Sequence, residues 1–275
     1  MIAAPGSGSG KTMVTCGLLT LLKRKGYNPA AFKCGPDYID GLFHRRVLGV
    51  ENENLDSFFE TGTHMRQKLS RRMKDHFVVA EGVMGYFDGL GGVSLRGSSF
   101  EIGNILGLPA ILVVDGRGAS LSLMALIQGF LEYDVTADAK NEKKTRNIRG
   151  IFFNRMSSMI YNRLKPMVEE RFQIPVIGYL PELKFLQVGS RHLGLVLPDE
   201  IDGIRGQLEQ LADQMDDNLE WESLLRIAAA ADGCDREAPV RPEAGMAPHF
   251  RLGIARDEAF CFYYEDNLRA MEQAG

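Results

Sequence analysis

Short apolar runs rich in β-branched residues alternate along this chain with longer segments whose apolar residues recur every three or four positions. That alternation predicts strands joined by helical crossovers. Residues 2–4 read as a very short first strand. Residues 12–25 read as a helix with Val14, Leu18, Leu19 and Leu22 on one face and Gly26 as its stop. Residues 29–33, 77–81, 110–115, 150–154 and 175–180 read as further strands. Helices are expected over 120–131, 158–171 and, as one long element, 204–230. Nearly continuous runs such as Ala110-Ile-Leu-Val-Val suit strands covered on both sides. The expected fold is therefore α/β, a P-loop NTPase-type parallel sheet flanked by helices on both faces.

The pattern lapses after residue 231. Residues 232–248 hold three prolines, two glycines and several charges without an apolar period, and read as a linker. A new strand is expected over 251–255 and a helix over 265–274. One strand and one helix cannot bury a core, so 249–275 reads either as a tail packed on the first domain or as the start of a second α/β domain. The basic stretch 140–149 reads as a solvated loop.

Composition narrows the class. The 275 residues are 45% hydrophobic and 25% charged, as in soluble globular proteins. A net charge of −4 and a pI near 5.8 argue against a protein that neutralises nucleic-acid phosphates. No apolar run reaches membrane-spanning length, and no basic stretch followed by an apolar leader opens the sequence. Cys16, Cys34, Cys234 and Cys261 lack metal-ligand spacing and read as reduced thiols, which suits a cytoplasmic protein.

The chemistry concentrates where the first strand meets the first helix. Ala4-Pro5-Gly6-Ser7-Gly8-Ser9-Gly10-Lys11-Thr12 reads as a phosphate cradle, although Pro5 stands where the P-loop pattern has its first glycine. Ser7, Gly8, Ser9 and Gly10 would turn backbone N–H groups onto an anion, Lys11 would reach the β/γ-phosphates of ATP, and Thr12 would hold Mg²⁺. Acidic residues cluster at other expected strand ends: Asp37 and Asp40 after the second strand, Glu81 at the end of a buried one, and Asp88 in a glycine-rich turn. The carboxyl ends of such strands face the ligand crevice. Glu81 is thus a candidate Mg²⁺ ligand, while Asp40 suits a turn or cap equally well. Lys33 offers a second cation for phosphate. Asp115 reads either as a helix cap or as a site residue. Asn154 reads either as an adenine-reading amide or as a helix cap. Phe43, Tyr86 and Phe87 are candidates for stacking on a ring and equally for the core.

Taken together, APGSGSGKT (4–12), FKCGPDYID (32–40), NLD (54–56), EGVMGYFDG (81–89) and GYLPELKFLQVGSRHLGL (178–195) resemble the cobyrinate a,c-diamide synthase family over nearly the whole chain. GIARDEAFCFYYEDNL (253–268) is similar to the start of that family's second domain, a class I glutamine amidotransferase. The resemblance implies a dethiobiotin-synthetase-like synthetase domain over 1–231, a linker over 232–248, and an incomplete amidotransferase domain over 249–275. It implies ATP- and Mg²⁺-dependent amidation of the a and c acetate carboxylates of cobyrinate, a step of corrinoid biosynthesis, through acyl phosphates, with ammonia normally from glutamine. Asp37 and Glu81 match positions linked to metal binding and phosphoryl transfer. Asp40 and Asp88 match positions linked to catalysis, and Tyr38 and Ile39 lie in the substrate-facing turn. His192 falls in a family motif without an assigned role. No histidine follows His249, and Cys261 lacks a basic neighbour, so an intact glutaminase is not expected in this chain. A metal-sirohydrochlorin is the alternative substrate, and the oligomeric state stays open, a homodimer included. The rival from another class is a P-loop switch ATPase that binds partner proteins, but Gly6 stands at that class's signature lysine position.

Overall fold

The computed structural model describes residues 1–133, 147–185, 201–231, 251–257 and 259–274. Seven parallel strands form one sheet: β1 (Ile2–Ala3), β2 (Pro29–Cys34), β3 (Glu51–Leu55), β4 (Phe77–Glu81), β5 (Ala110–Asp115), β6 (Ile148–Asn154) and β7 (Val176–Tyr179). Their spatial order is β3-β2-β4-β1-β5-β6-β7. From the central β1 the chain runs outward to β2 and β3, returns through β4, and then builds the other half. The crevice beyond the carboxyl ends of β4, β1 and β5 lies where that order reverses, which is where open α/β sheets bind ligands.

The period-two geometry of a strand sorts the apolar residues onto the two faces. Ile111 and Val113 of β5 and Phe152 of β6 share one cluster with α1 (Lys11–Arg24), α2 (Ile39–Arg46), α7 (Ile201–Asn218) and α8 (Trp221–Ala229). Leu112, Val114, Ile151 and Phe153 face the other way, onto α4 (Ser99–Leu106), α5 (Ser122–Glu132) and α6 (Ser158–Phe172). Phe32 and Ala80 meet α3 (Gly62–Met73) through Met65 and Leu69. Each such fully buried side chain contributes about 1.5–3 kcal/mol. The cores hold the strand ends, and hence the site, in fixed register.

Four elements carry no apolar signal that sequence reading picked up: α2, β3, α3 and α4. The strand β3 reads Glu-Asn-Glu-Asn-Leu and forms the sheet edge, with polar side chains that neighbours bind. Its Glu53 is buried and paired with Arg71, Arg72 and Arg269. Three expectations are corrected. The long helix over 204–230 is two helices, because Leu219 bridges Gly178 of β7 and the Glu220 N–H donates to the Ile177 carbonyl at 2.7 Å. Gly178 (φ 149°) permits that crossing, since a Cβ there would lie 2.5 Å from the Asn218 carbonyl oxygen. The basic stretch 140–149 is not all loop, for Ile148 and Arg149 open β6. Residues 251–255 form no strand and are exposed. The linker 232–248 and His192 lie outside the described residues.

The final helix α9 (Glu265–Ala274) packs on the β3 side of the sheet. Glu265 pairs with Arg45, Asp266 with the buried Lys68, and Arg269 with Glu53. Burial opposes the Glu53 charge. The Arg269 hydrogen bond and the charges of Arg269, Arg72 and Arg71 outweigh it, bringing this carboxyl from 4.5 to about 2. A depressed carboxyl stabilises the fold above its unfolded pKa and loses that contribution as pH falls through the folded value. Between pH 4.5 and about 2, wild-type stability should therefore fall more steeply than that of Glu53→Gln. The variant should also be less stable at pH 6, by on the order of 2–3 kcal/mol. Urea unfolding at stepped pH checks this, and parallel pH slopes would refute it.

Candidate active site

The turn after β1 is built as an anion nest. Gly8 (φ 78°) and Gly10 (φ 96°) take left-handed backbone conformations, and Gly10 caps α1. A Cβ on Gly10 would lie 2.1 Å from Asn154 Nδ2. That amide comes from the end of β6, is fully buried, and donates to the Ser9 carbonyl at 2.9 Å. The Ser9 hydroxyl donates to the Gly6 carbonyl at 2.9 Å. A second brace comes from Arg155, which donates to the Gly8 carbonyl at 2.6 Å and to both oxygens of Asp115 at the end of β5. The strand ends of β5 and β6 thus fix the loop from below.

Lys11 and Thr12 begin α1 and reach different partners. Lys11 Nζ donates to the Met84 carbonyl at 2.5 Å, and more weakly to that of Gly6 at 3.5 Å. Met84 is one of the few non-glycine residues with positive φ, at 43°. Burial and the charge of Lys33 lower the Lys11 pKa below the usual lysine range. Thr12 Oγ1 donates to Glu81 Oε1 at 2.6 Å and lies 3.5 Å from Asp40 Oδ2.

Behind Thr12 sits a buried charge cluster. Lys33 and Glu81 are direct neighbours in the parallel register of β2 and β4, and Lys33 Nζ reaches Glu81 Oε1 at 2.9 Å. The same ammonium contacts Asp40 at 2.5 Å and Asp37 at 3.7 Å. Burial works against the Lys33 charge, but Glu81, Asp40 and Asp37 outweigh it and raise its pKa well above the ordinary lysine value. Burial also opposes the Glu81 charge, yet Lys33 holds this carboxyl below its ordinary value. Asp40 goes the other way. Burial and the Glu81 charge push it up, and Lys33 offsets only part of that. Lys33 thus favours the charged form of Glu81, while burial beside Glu81 disfavours that of Asp40. Glu81 Oε2 has no hydrogen-bond partner and faces the buried His44 Nε2 at 3.9 Å.

Two turns frame this cluster. Asp37 Oδ1 accepts from the N–H groups of Ile39 and Asp40, starting α2, and Asn54 Nδ2 donates to the Gly35 and Asp37 carbonyls. The FKCGPDYID and NLD segments are therefore one structure. Asp88 Oδ2 accepts from the Gly85 N–H at 2.9 Å and orders the turn that carries Met84. Beside Met84 opens a cleft of about 920 Å³, lined by Asp37, Tyr38 and Ile39 on one side and by Phe58, Phe59 and Leu90 on others.

Lys11, Thr12, Lys33, Asp37, Asp40 and Glu81 thus converge, with Tyr38 and Ile39 at the rim. Ser7 and Gly8 are exposed at the loop's tip. Asn154 is turned beneath the loop, not displayed for a base, so the geometry gives it a bracing task. Phe43 and Tyr86 are buried in the two cores, and Phe87 packs on Tyr86, so stacking on a ligand is not their role. Sequence reading gave no role to Met84, Arg155, His44 or Asp56, although Asp56 and Met84 lie within the NLD and EGVMGYFDG motifs.

Residues 1–195 match the family model described as CobQ/CobB/MinD/ParA nucleotide binding domain. The chain is 35% identical over 277 residues to the cobyrinate a,c-diamide synthase of Clostridium acetobutylicum, covering 100% of this chain and 60% of that protein. It is 40% identical over 268 residues to the hydrogenobyrinate a,c-diamide synthase of Brucella ovis, covering 96% of this chain and 58% of that one. It therefore spans about 60% of the length of the curated relatives it matches. The MinD cell division protein of Aquifex aeolicus aligns with a TM-score of 0.46 at 14% identity, over 78% of this chain and 94% of that chain. With its phosphate loop, its strand-end acids and the family-model match over residues 1–195, the chain belongs to the CobQ/CobB/MinD/ParA nucleotide binding domain family.

Proposed function

We propose that this chain is the ATP-using part of an enzyme that amidates the a and c acetate side chains of cobyrinate, with ammonia supplied by glutamine in the whole protein. The observation that carries this reading is the meeting of Lys11, Thr12, Glu81 and Asp40 within one crevice, beside an aromatic-lined cleft of about 920 Å³. The names of the relatives support the corrin as substrate.

A carboxylate is a poor electrophile, and its oxide does not leave. Phosphorylation by ATP gives an acyl phosphate and ADP. Attack by ammonia then forms the C–N bond, breaks the C–O bond to phosphate, and releases a proton. This chain's residues position and neutralise. The loop N–H groups and Lys11, on leaving the Met84 carbonyl, take the β/γ-phosphates. Lys33, held by Glu81, Asp40 and Asp37, would help offset charge on the phosphates. Asp40, whose charge burial and Glu81 disfavour, would take the proton that ammonia gives up. Asp88 acts through the turn it orders.

Magnesium fits the residues present. Thr12 Oγ1 and Glu81 Oε1 lie side by side, Glu81 Oε2 is unpartnered, and Asp37 Oδ2 is free of its capping task. Mg²⁺ prefers one or two carboxylates plus phosphate oxygens and water. When bound, the ion would neutralise charge on the phosphates, held by Thr12 and Glu81 with Asp37 beside them. No helix among the described residues is long and apolar enough to cross a membrane.

Glu81→Gln is expected to slow amidation of cobyrinate with Mg-ATP and ammonium by at least about 100-fold. The fold should persist, because Lys33 keeps Asp40 and Asp37. Mass spectrometry of the corrin reads the outcome, and wild-type turnover would remove Glu81 from the reaction. Gly10→Ala is expected to cost about 1–3 kcal/mol in strain and to weaken Mg-ATP binding more than tenfold. Calorimetric titration with Mg-ATP tests this, and an unchanged Kd would show that the loop does not form the cradle.

A further inference from the structure

The tail reaches the cleft. The Tyr264 ring stacks on Tyr38 with centroids 4.7 Å apart and planes 20° off parallel, and Phe262 meets Tyr38 edge-on at 5.6 Å. Phe262 also lines the cleft and is itself 49% exposed. The Tyr264 hydroxyl donates to Asp56 Oδ2 at 3.4 Å, while Asp56 Oδ1 accepts the Phe58 N–H at 3.0 Å. One buried carboxylate therefore joins the tail to the Phe58–Phe59 wall. These contacts are anchored from outside the cleft. Asp266 pairs with Lys68 at 2.5 Å, and the Lys68 side chain is only 2% exposed. Glu265 spans Arg45 and Arg256. A buried ammonium that draws part of its compensation from the tail makes tail displacement costly.

Across the cleft, Phe58 (55% exposed), Phe59 (69%) and Leu90 (43%) leave an apolar surface that an occupant would cover. A flat macrocycle with acid arms is the ligand class that suits such a slot, with its ring against aromatic faces and one acid directed past Met84 to Lys11.

Resting on the substrate reading above, we propose that residues 262–264, within the second-domain-like segment, are a wall of the macrocycle site. Phe262 contacts the ring, and Tyr264 acts as a positioning residue through Tyr38 and Asp56. The tail thereby sets affinity for the macrocycle more than for the nucleotide, since the contacts of Phe262 and Tyr264 are with Tyr38 and Asp56. A consequence is that the domain supplying ammonia and the filling of the macrocycle site are linked by the same few side chains.

Equilibrium dialysis of cobyrinate against the whole chain tests this, with Mg-ATP titrated separately and thermal unfolding followed for every variant. Phe262→Ala and Tyr264→Ala should each raise the cobyrinate Kd about tenfold, the scale of a lost aromatic contact, and leave the Mg-ATP Kd within about twofold. Tyr264→Phe keeps the stack and should restore most of the affinity. In turnover with ammonium, the alanine variants should raise KM for cobyrinate while kcat changes less. Wild-type cobyrinate affinity in both alanine variants would overturn the proposal, as would equal weakening of both ligands together with a lowered Tm. Failure of the unaltered chain to bind cobyrinate while it binds Mg-ATP would instead overturn the substrate reading, and this inference with it.

Discussion

Removing an ammonium and two carboxylates from water costs several kcal/mol per ion unless they satisfy one another. The Lys33–Glu81–Asp40 cluster meets that demand in one geometry only. Lys33 and Glu81 are register neighbours on β2 and β4, and Asp40 reaches the same Nζ from the first turn of α2. The cluster ties two strands, a helix start and, through Thr12, the phosphate loop. A slip of one residue in either strand would turn one charge into an apolar core. The need to pair buried charge is therefore also what places the acids beside the loop.

The loop is held by a second set of polar contacts on the opposite flank. Asn154 and Arg155 end β6, Asp115 ends β5, and all three work on the carbonyls of Gly8 and Ser9 or on each other. With its carbonyls bound from below, the loop is left to present N–H groups upward, the polarity an anion requires. Lys11 meanwhile rests on the Met84 carbonyl, so the cation that would meet phosphate is parked on the turn that borders the cleft. Nucleotide site and cleft share that turn.

The strongly apolar elements were legible from their pattern. The strands β4 to β7 and helices α1, α5 and α6 fall within a few residues of their expected places, because a strand buried on both faces must be apolar throughout. The edge strand β3 was not, because its polar side chains are satisfied by Arg71, Arg72, Arg269 and His44, none of them close in sequence. The single helix expected over 204–230 kept its period across Leu219, and only the packing of that residue on β7 breaks it.

For the site, the sequence by itself determined the chemistry on offer: a glycine-rich turn ending in Lys11-Thr12, and acids at the ends of apolar segments. Spacing along one chain fixes such local features because they depend on the conformations of adjacent residues. It did not determine which face each polar group would turn to. Asn154 looked free to read a base and is buried under the loop. Tyr38, read as a substrate contact, lines the cleft and also stacks on a tyrosine 226 positions further on. Those outcomes depend on sheet order and on where the tail lands. Only the tertiary structure decides them, because the groups that compete for each hydrogen bond and each ring face come from distant parts of the chain.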